Sequence, residues 1–201
     1  MILVLTLLYL AAACTSVSVS SSVNRGRNLL NRGQTEDALA RFRQAAAANP
    51  NFATDFRGFR QGIWTDVGRA HYALGQLVQA RQALERAVTQ DPNDAIGQIF
   101  LGLTSIREGQ LNQGYQQAGI GLQRMKSWIG SRERHDSRSG YWDPSGRLNR
   151  RLDQLLGEIN ARDSASQNVV RDLELFVRDF EREINLSQRD ELNSLRDRTR
   201  R

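Results

Sequence analysis

The sequence predicts an all-α fold built from repeated helical hairpins, and three observations indicate it. The 201 residues include only three prolines, which leaves long stretches without a helix breaker. Val, Ile and Thr do not cluster in the alternating runs that half-buried strands show. A segment in the first quarter of the chain recurs later with the same spacing of small and apolar residues. Such internal similarity is typical of stacked structural repeats.

The chain opens with a short apolar segment. Every residue from Ile2 to Ala13 is apolar except Thr6, and such a segment is too short to span the roughly 30 Å hydrocarbon core of a membrane as a helix. It has the length of the apolar region of a signal peptide, although no Lys or Arg precedes it. Three alanines then lead directly to Cys14, the only cysteine of the chain.

This arrangement resembles the lipobox of bacterial lipoproteins, although Ala11 stands where leucine is usual. The resemblance implies that residues 1–13 are a signal peptide and that Cys14 is lipidated and becomes the first residue of the mature protein. It also implies a lipid-anchored protein on the periplasmic or extracellular face of the bacterial envelope membrane. Residues 14–23 are rich in serine and predict a flexible tether. The alternative is a free, partly buried thiol at the end of an uncleaved leader or of a hydrophobic first helix.

Two segments of the chain repeat each other. "RGQTEDALARFRQAAAANP" at residues 32–50 can be aligned with "LGQLVQARQALERAVTQDP" at residues 74–92. The matched pairs are Gly33 with Gly75, Gln34 with Gln76, Ala38 with Ala80, Phe42 with Leu84, Ala45 with Ala87 and Pro50 with Pro92. The preceding "WTDVGRAHY" is close to the W-x2-L-G-x2-Y opening of a tetratricopeptide repeat, with Trp64, then Val67-Gly68, then His71-Tyr72. Residues 61–94 therefore resemble a tetratricopeptide repeat.

The resemblance implies about three repeats within residues 24–129, each made of two antiparallel helices. A weaker third copy places Gly102 and Gly109 34 residues after Gly68 and Gly75. A glycine such as Gly68 allows two helix backbones to approach closely. The first and second copies are offset by 42 residues instead of 34, so eight additional residues lie near "NFATDFRGFRQG".

The last third of the chain predicts a linker at residues 130–144 and amphipathic helices within residues 145–201. Asp143 before Pro144 resembles a helix start, and a capping box at Ser164-x-x-Gln167 starts the next helix. We expect Ser187 to begin a last, weaker helix. These helices either cap the open end of the repeats or form a separate hairpin or a dimerising coiled coil, which would make the protein a homodimer.

Charge and motifs indicate a binding protein and not an enzyme. Residues 1–130 carry 13 basic and 8 acidic side chains, a net charge of +5, and residues 131–201 carry 15 and 14, a net charge of +1. A nucleic-acid arm would need a block of one sign, so we expect no nucleic-acid partner. His71 and His135 lie in different regions, and neither a phosphate-binding loop nor a metal-ligand spacing is present. We therefore expect no catalytic residue, no metal and no cofactor.

The resemblance to tetratricopeptide repeats implies a concave groove, lined by the first helix of each hairpin, that binds a protein or an extended peptide. Arginines among apolar residues would suit a peptide that carries an acidic group. The predicted groove residues are Arg27, Leu30, Asn31, Thr65, Arg69, Tyr72, Ile99, Leu103, Ile106 and Arg107. We expect the arginines to have no part in folding. In the alternative, the apolar members are buried under the C-terminal helices and the arginines solvate the rim.

These features together predict a membrane-anchored lipoprotein that acts as a protein–protein interaction scaffold in a bacterial envelope complex. Two alternatives stay open. One is an envelope enzyme, or an accessory of one, with an unrecognised activity in residues 131–201. The other is a cytosolic adaptor whose leader is a false signal.

Lipidation at Cys14 is directly testable. Cells that express the protein and take up a clickable palmitate analogue should label the wild type, and Cys14→Ser should lose the label because no other thiol is available. Equal labelling of both proteins, or a mature N-terminus elsewhere, would contradict the prediction.

Overall fold

The structure is a computed structural model that describes residues 19–135, 143, 145–161 and 168–199. The predicted signal peptide, Cys14 and the capping box at residues 164–167 lie outside the described residues.

Three helical hairpins follow one another along the chain, and the predicted all-α fold of repeated hairpins is confirmed. Each hairpin pairs two antiparallel helices and packs on the next, with α2 against α3 and α4 against α5. The three pairs are α1 (residues 19–31 of the described part) with α2 (Thr35–Ala48), α3 (Ile63–Ala73) with α4 (Leu77–Gln90), and α5 (Ala95–Arg107) with α6 (Leu111–His135).

A glycine ends the first helix of each hairpin. Gly33, Gly75 and Gly109 have φ values of +77°, +72° and +83°, a left-handed conformation that side chains with a Cβ avoid. In each turn the following glutamine donates its N–H to a carbonyl of the helix, for example Gln76 to His71 O at 2.9 Å. This is the hydrogen-bonding pattern of a glycine C-cap, and it lets the chain reverse within three residues.

A second glycine position brings the two helices of a hairpin together. A Cβ added at Gly26, Gly68 or Gly102 would lie 2.5 Å from an atom of the facing helix. The facing atoms belong to the Phe42 ring, to Leu84 Cγ and to the Gly114 carbonyl, respectively. The predicted close approach at Gly68 is therefore present in all three hairpins.

The additional residues between the first and second hairpins form a β-hairpin, which the sequence did not predict. β1 (Ala53–Phe56) pairs antiparallel with β2 (Phe59–Gly62). Arg57 and Gly58 form the turn with φ values of +52° and +86°, as in the two-residue turns that suit the twist of paired strands. Strands of four residues are too short for their alternation to be visible in the sequence, although Phe59 and Gln61 are buried and Arg60 is exposed.

The helices of the last third differ from the prediction in their bounds. α6 continues to His135, into the predicted linker, and α7 (Arg147–Asn160) begins after Gly146 and not at Asp143. The Asp143 carboxylate instead accepts the N–H of Asn149 at 3.1 Å, within the first turn of α7.

The predicted last helix at Ser187 is not separate. α8 (Val169–Thr199) runs through Ser187, which is buried. Neither glycine nor proline occurs within α8, so nothing interrupts the helix there.

The predicted tether at residues 14–23 also differs in part, because residues 19–23 are helical. Val19, Val23 and Gly26 follow one another at spacings of four and three, so they share one face of α1. Val19 and Val23 are buried in an apolar cluster with Phe42. That burial favours helix over a flexible tether.

Two apolar clusters form the core. The first joins α1, α2 and α3, and the second joins α5 and α6 to the two C-terminal helices. Among the described residues, no helix combines the length and the apolar character that crossing a membrane requires.

One helical glycine that faces another helix and one that faces open space allow a matched test of the packing. Gly68→Ala should lower the free energy of unfolding by about 1–3 kcal/mol because the new methyl overlaps the buried Leu84. Gly157→Ala, in α7, should raise it by about 0.5–1 kcal/mol because nothing lies within 4 Å of the added Cβ. Chemical denaturation measures both, and shifts of the same sign would show that Gly68 does not face α4.

Candidate functional site: the concave face and its C-terminal helix

The C-terminal helix α8 lies along the first helices of the second and third hairpins. Arg69 on α3 makes a two-point ion pair with Glu181 on α8, with Nη1–Oε1 at 2.5 Å and Nη2–Oε2 at 2.8 Å. Glu174 of α8 accepts a hydrogen bond from the Tyr72 hydroxyl at 2.6 Å and one from Arg107 Nη2 at 3.3 Å. Glu174 and Glu181 are seven residues apart, so they share one face of the helix.

Apolar side chains of α8 complete this contact. Leu173, Phe176, Val177 and Phe180 are buried in one cluster with Ile99 and Leu103 of α5, which belong to the predicted groove. Phe180 packs with its ring centroid 4.9 Å from that of Phe59 and 5.8 Å from that of Trp128. The inserted β-hairpin and α6 therefore help to hold α8 in place.

Behind this contact lies a fully buried carboxylate, Asp66. It accepts hydrogen bonds from Arg27 Nη2 at 2.8 Å and from Gln61 Nε2 at 2.9 Å, and its Oδ1 lies 3.9 Å from Arg69 Nη1. Arg27, Asp66, Arg69 and Glu181 thus form a chain of alternating charge from α1 through α3 to α8. Burial alone would raise the pKa of Glu181, but the Arg69 guanidinium lowers it below its usual value, so Glu181 is ionised at neutral pH.

A second buried carboxylate, Asp94, joins the inserted hairpin to the third repeat. It caps α5 by accepting the Gly97 N–H at 2.8 Å, and its other oxygen accepts the Thr65 hydroxyl at 2.7 Å and the Gly62 N–H at 2.8 Å. Burial raises the pKa of Asp94 to about 6, although the three hydrogen bonds favour the charged form. These bonds join elements of the fold, which is a structural function.

The hairpin geometry agrees with a comparison of the sequence with known families. Residues 29–101 match the tetratricopeptide repeat family. The matched segment runs from the end of α1 into α5 and includes the inserted β-hairpin. Tetratricopeptide repeats are typically non-catalytic modules that bind other proteins. No curated protein matches the chain.

The structure places the predicted groove residues on the first helices of the three hairpins, the face that the resemblance predicts to be concave. α8 contacts Arg69, Tyr72 and Arg107 among them. Thr65, Ile99 and Leu103 are fully buried, and Arg69 and Tyr72 keep only 6% and 3% of their surface exposed. The more accessible members are Arg27, Leu30, Asn31, Ile106 and Arg107. Binding of a partner by this face stays a prediction.

The arginines of the concave face have a role in folding that the sequence analysis did not expect. Arg27, which is partly exposed, and the buried Arg69 belong to the charge chain around Asp66, and Arg107 lies over the Tyr72 ring at 4.0 Å from its centroid. Arg27 and Asp66 are 39 residues apart in sequence, and Arg69 and Glu181 are 112 apart. Only the packing of α1 and α8 against α3 brings these charges into contact, so no local pattern reveals the pairs.

His71 is a packed side chain whose two ring nitrogens both have neighbours. His71 Nδ1 lies 2.6 Å from the Gln76 amide oxygen, and Nε2 lies 3.4 Å from Arg43 Nη2. Burial lowers the pKa of His71, so the ring is neutral at pH 7. Within the described part of the chain, no group of three or more His, Cys, Asp or Glu side chains has the geometry to hold a metal ion.

The ion pair between Arg69 and Glu181 should be measurable in stability. Glu181→Gln should lower the free energy of unfolding by about 2–4 kcal/mol because it leaves a buried guanidinium with an incomplete counter-charge. Asp153→Asn breaks the exposed pair between Asp153 and Lys126 and should cost less than about 1 kcal/mol.

A double variant separates charge from packing. Arg69→Met with Glu181→Leu should recover much of the stability lost in Glu181→Gln, because it leaves no unpaired charge in the core. Equal costs for Glu181→Gln and Asp153→Asn would contradict the ion pair seen in the structure.

Proposed function

We propose that the protein is a lipid-anchored interaction scaffold of the bacterial envelope, in which tetratricopeptide repeats hold a partner protein and Cys14 carries the lipid. The observation that carries the proposal is the stack of helical hairpins that contains residues 29–101 and matches the repeat family. The apolar segment before Cys14 supports the anchor. The anchored protein would present its repeats to the periplasm or the cell exterior.

The contact with α8 suggests where the partner binds. α8 buries its apolar stripe against α5 and pairs its carboxylates with Arg69, Arg107 and Tyr72. Displacing it would expose that stripe and unpair Glu181, so we propose that α8 stays in place. The partner then contacts the accessible rim of the concave face. That rim runs from Leu30 and Asn31 on α1 to Ile106 and Arg107 at the end of α5.

The partly exposed Arg107 on this rim indicates what kind of partner would bind. Arg107 keeps 39% of its side chain exposed although it contacts Glu174. A partner with an acidic side chain could add a second charge-assisted hydrogen bond there. A helical or extended peptide segment with one acidic group beside apolar residues fits these positions.

Photo-crosslinking in living cells tests the proposed rim. A photoreactive amino acid placed at Asn31 or Arg107, both exposed, should give an adduct with the same protein from the membrane fraction. The matched control positions are Gln79 on α4 and Gln113 on α6, which are exposed on the second helices of their hairpins. They should give no such adduct, and mass spectrometry identifies the partner.

Two other outcomes would indicate that the partner binds a different surface. Crosslinks only from Leu192, which is 57% exposed near the end of α8, would place partner binding in the C-terminal segment. An adduct of twice the mass of the chain from that position would indicate a homodimer through α8. Either result without adducts from Asn31 and Arg107 would contradict binding at the rim.

A further inference from the structure

A cleft rich in arginine lies on the outer side of the first hairpin. It has a volume of about 670 Å³ and lies between the outward faces of α1 and α2. Its polar lining comes from Arg25, Asn28, Arg32, Asp37 and Arg41. Three arginines and one carboxylate thus line the cleft, with Arg25 and Arg32 on one side and Asp37 and Arg41 on α2.

The spacing of residues along α1 explains where the cleft lies. Arg25 and Asn28 are three residues apart and share one face of α1, and Arg32 follows directly after the helix, four residues beyond Asn28. Val19 and Val23 lie on a different face, which is buried against α2 and α3. The arginine face is therefore directed away from the core and from the concave surface that α8 covers.

The arginines of the cleft are available to bind an anion. Arg25, Arg32 and Arg41 are exposed, and among the described residues none of the three forms an ion pair with a carboxylate. Arg27 on the same helix differs, because its guanidinium pairs with Asp66. A guanidinium group matches phosphate geometry well, because it can donate two parallel hydrogen bonds.

The length of chain before α1 places this cleft near a membrane, a step that rests on the lipid anchor proposed above. Five residue steps separate Cys14 from residue 19, where the described part of α1 begins, and they span at most about 18 Å. Arg25 lies about 9 Å farther along the helix, and Arg32 about 20 Å. A lipid on Cys14 would therefore keep the cleft within reach of the phospholipid headgroups.

We propose that the face of the first hairpin formed by Arg25, Arg32 and Arg41 binds the anionic phospholipid headgroups of the membrane that holds the anchor. One acyl-bearing residue holds a protein at a bilayer more firmly when a basic patch binds the same surface. The patch would also orient the repeats, with α1 against the bilayer and the concave rim accessible to a partner.

Vesicle binding by the chain without its lipid tests this proposal. Residues 14–201 with Cys14→Ser keep every element that the structure describes. This protein should bind vesicles of phosphatidylglycerol and phosphatidylethanolamine and should bind phosphatidylcholine vesicles at least about tenfold more weakly. Replacing Arg25, Arg32 and Arg41 with Gln should weaken binding to the anionic vesicles at least about tenfold.

A matched control separates the patch from net charge. Arg171, Arg182 and Arg189 are exposed on α8, and replacing them with Gln removes the same charge. This variant should bind within about threefold of the parent protein, and circular dichroism should show equal helix content in all three proteins. Equal weakening by both triple variants, or no binding of the parent protein to anionic vesicles, would overturn the proposal.

A second measurement distinguishes lipid from protein as the occupant. A photoreactive amino acid at Asn28 in cells should crosslink to phospholipid, and a protein adduct there would overturn the proposal. Palmitate labelling of Cys14 is scored independently. A chain that binds anionic vesicles but is not labelled would refute the anchor and leave the patch, whereas the reverse result would refute the patch alone.

Discussion

The structure depends on one chain of buried charges, Arg27, Asp66, Arg69 and Glu181. Asp66 has no exposed surface, and burial raises the pKa of its carboxyl, whereas the guanidinium groups of Arg27 and Arg69 favour its ionised form. Each guanidinium comes from a different part of the fold, and Glu181 balances the second one. The first hairpin, the second hairpin and α8 therefore have to assemble together, since loss of any one of them leaves an unpaired charge in the core.

This constraint explains why α8 is part of the fold and not an appendage. A stack of helical hairpins has an apolar face that needs a cover, and the stripe of α8 supplies one against α5. The inserted β-hairpin contributes as well, because Phe59 contacts Phe180 and Gly62 is bonded to Asp94. The inserted β-hairpin, which interrupts the regular repeat, thus helps to hold α8 in place.

The first hairpin presents two different surfaces for function. Its inner side, at Leu30 and Asn31, continues the row of first helices beyond the part that α8 contacts, and its outer side carries the exposed arginines Arg25, Arg32 and Arg41. Because these surfaces lie on different faces of α1, the proposed binding of a membrane would not compete with the proposed binding of a partner. A scaffold held close to a bilayer benefits from that separation, since its orientation decides which surface a partner reaches.

The sequence by itself determined the helical hairpins, because their signals are local: Gly33 and Gly75 end the first helices, Gly68 permits close approach, and apolar spacing marks the buried faces. It also predicted which helices come first in each hairpin, because those helices are recognisable by position, whereas binding of a partner along them stays a prediction. Only the tertiary structure decided that Arg69 pairs with Glu181 and that α8 covers the groove, since contacts between residues 112 positions apart follow from the packing of whole helices. The β-hairpin was decided there too, because strands of four residues leave too short a pattern and are stabilised by Phe59 packing on the core.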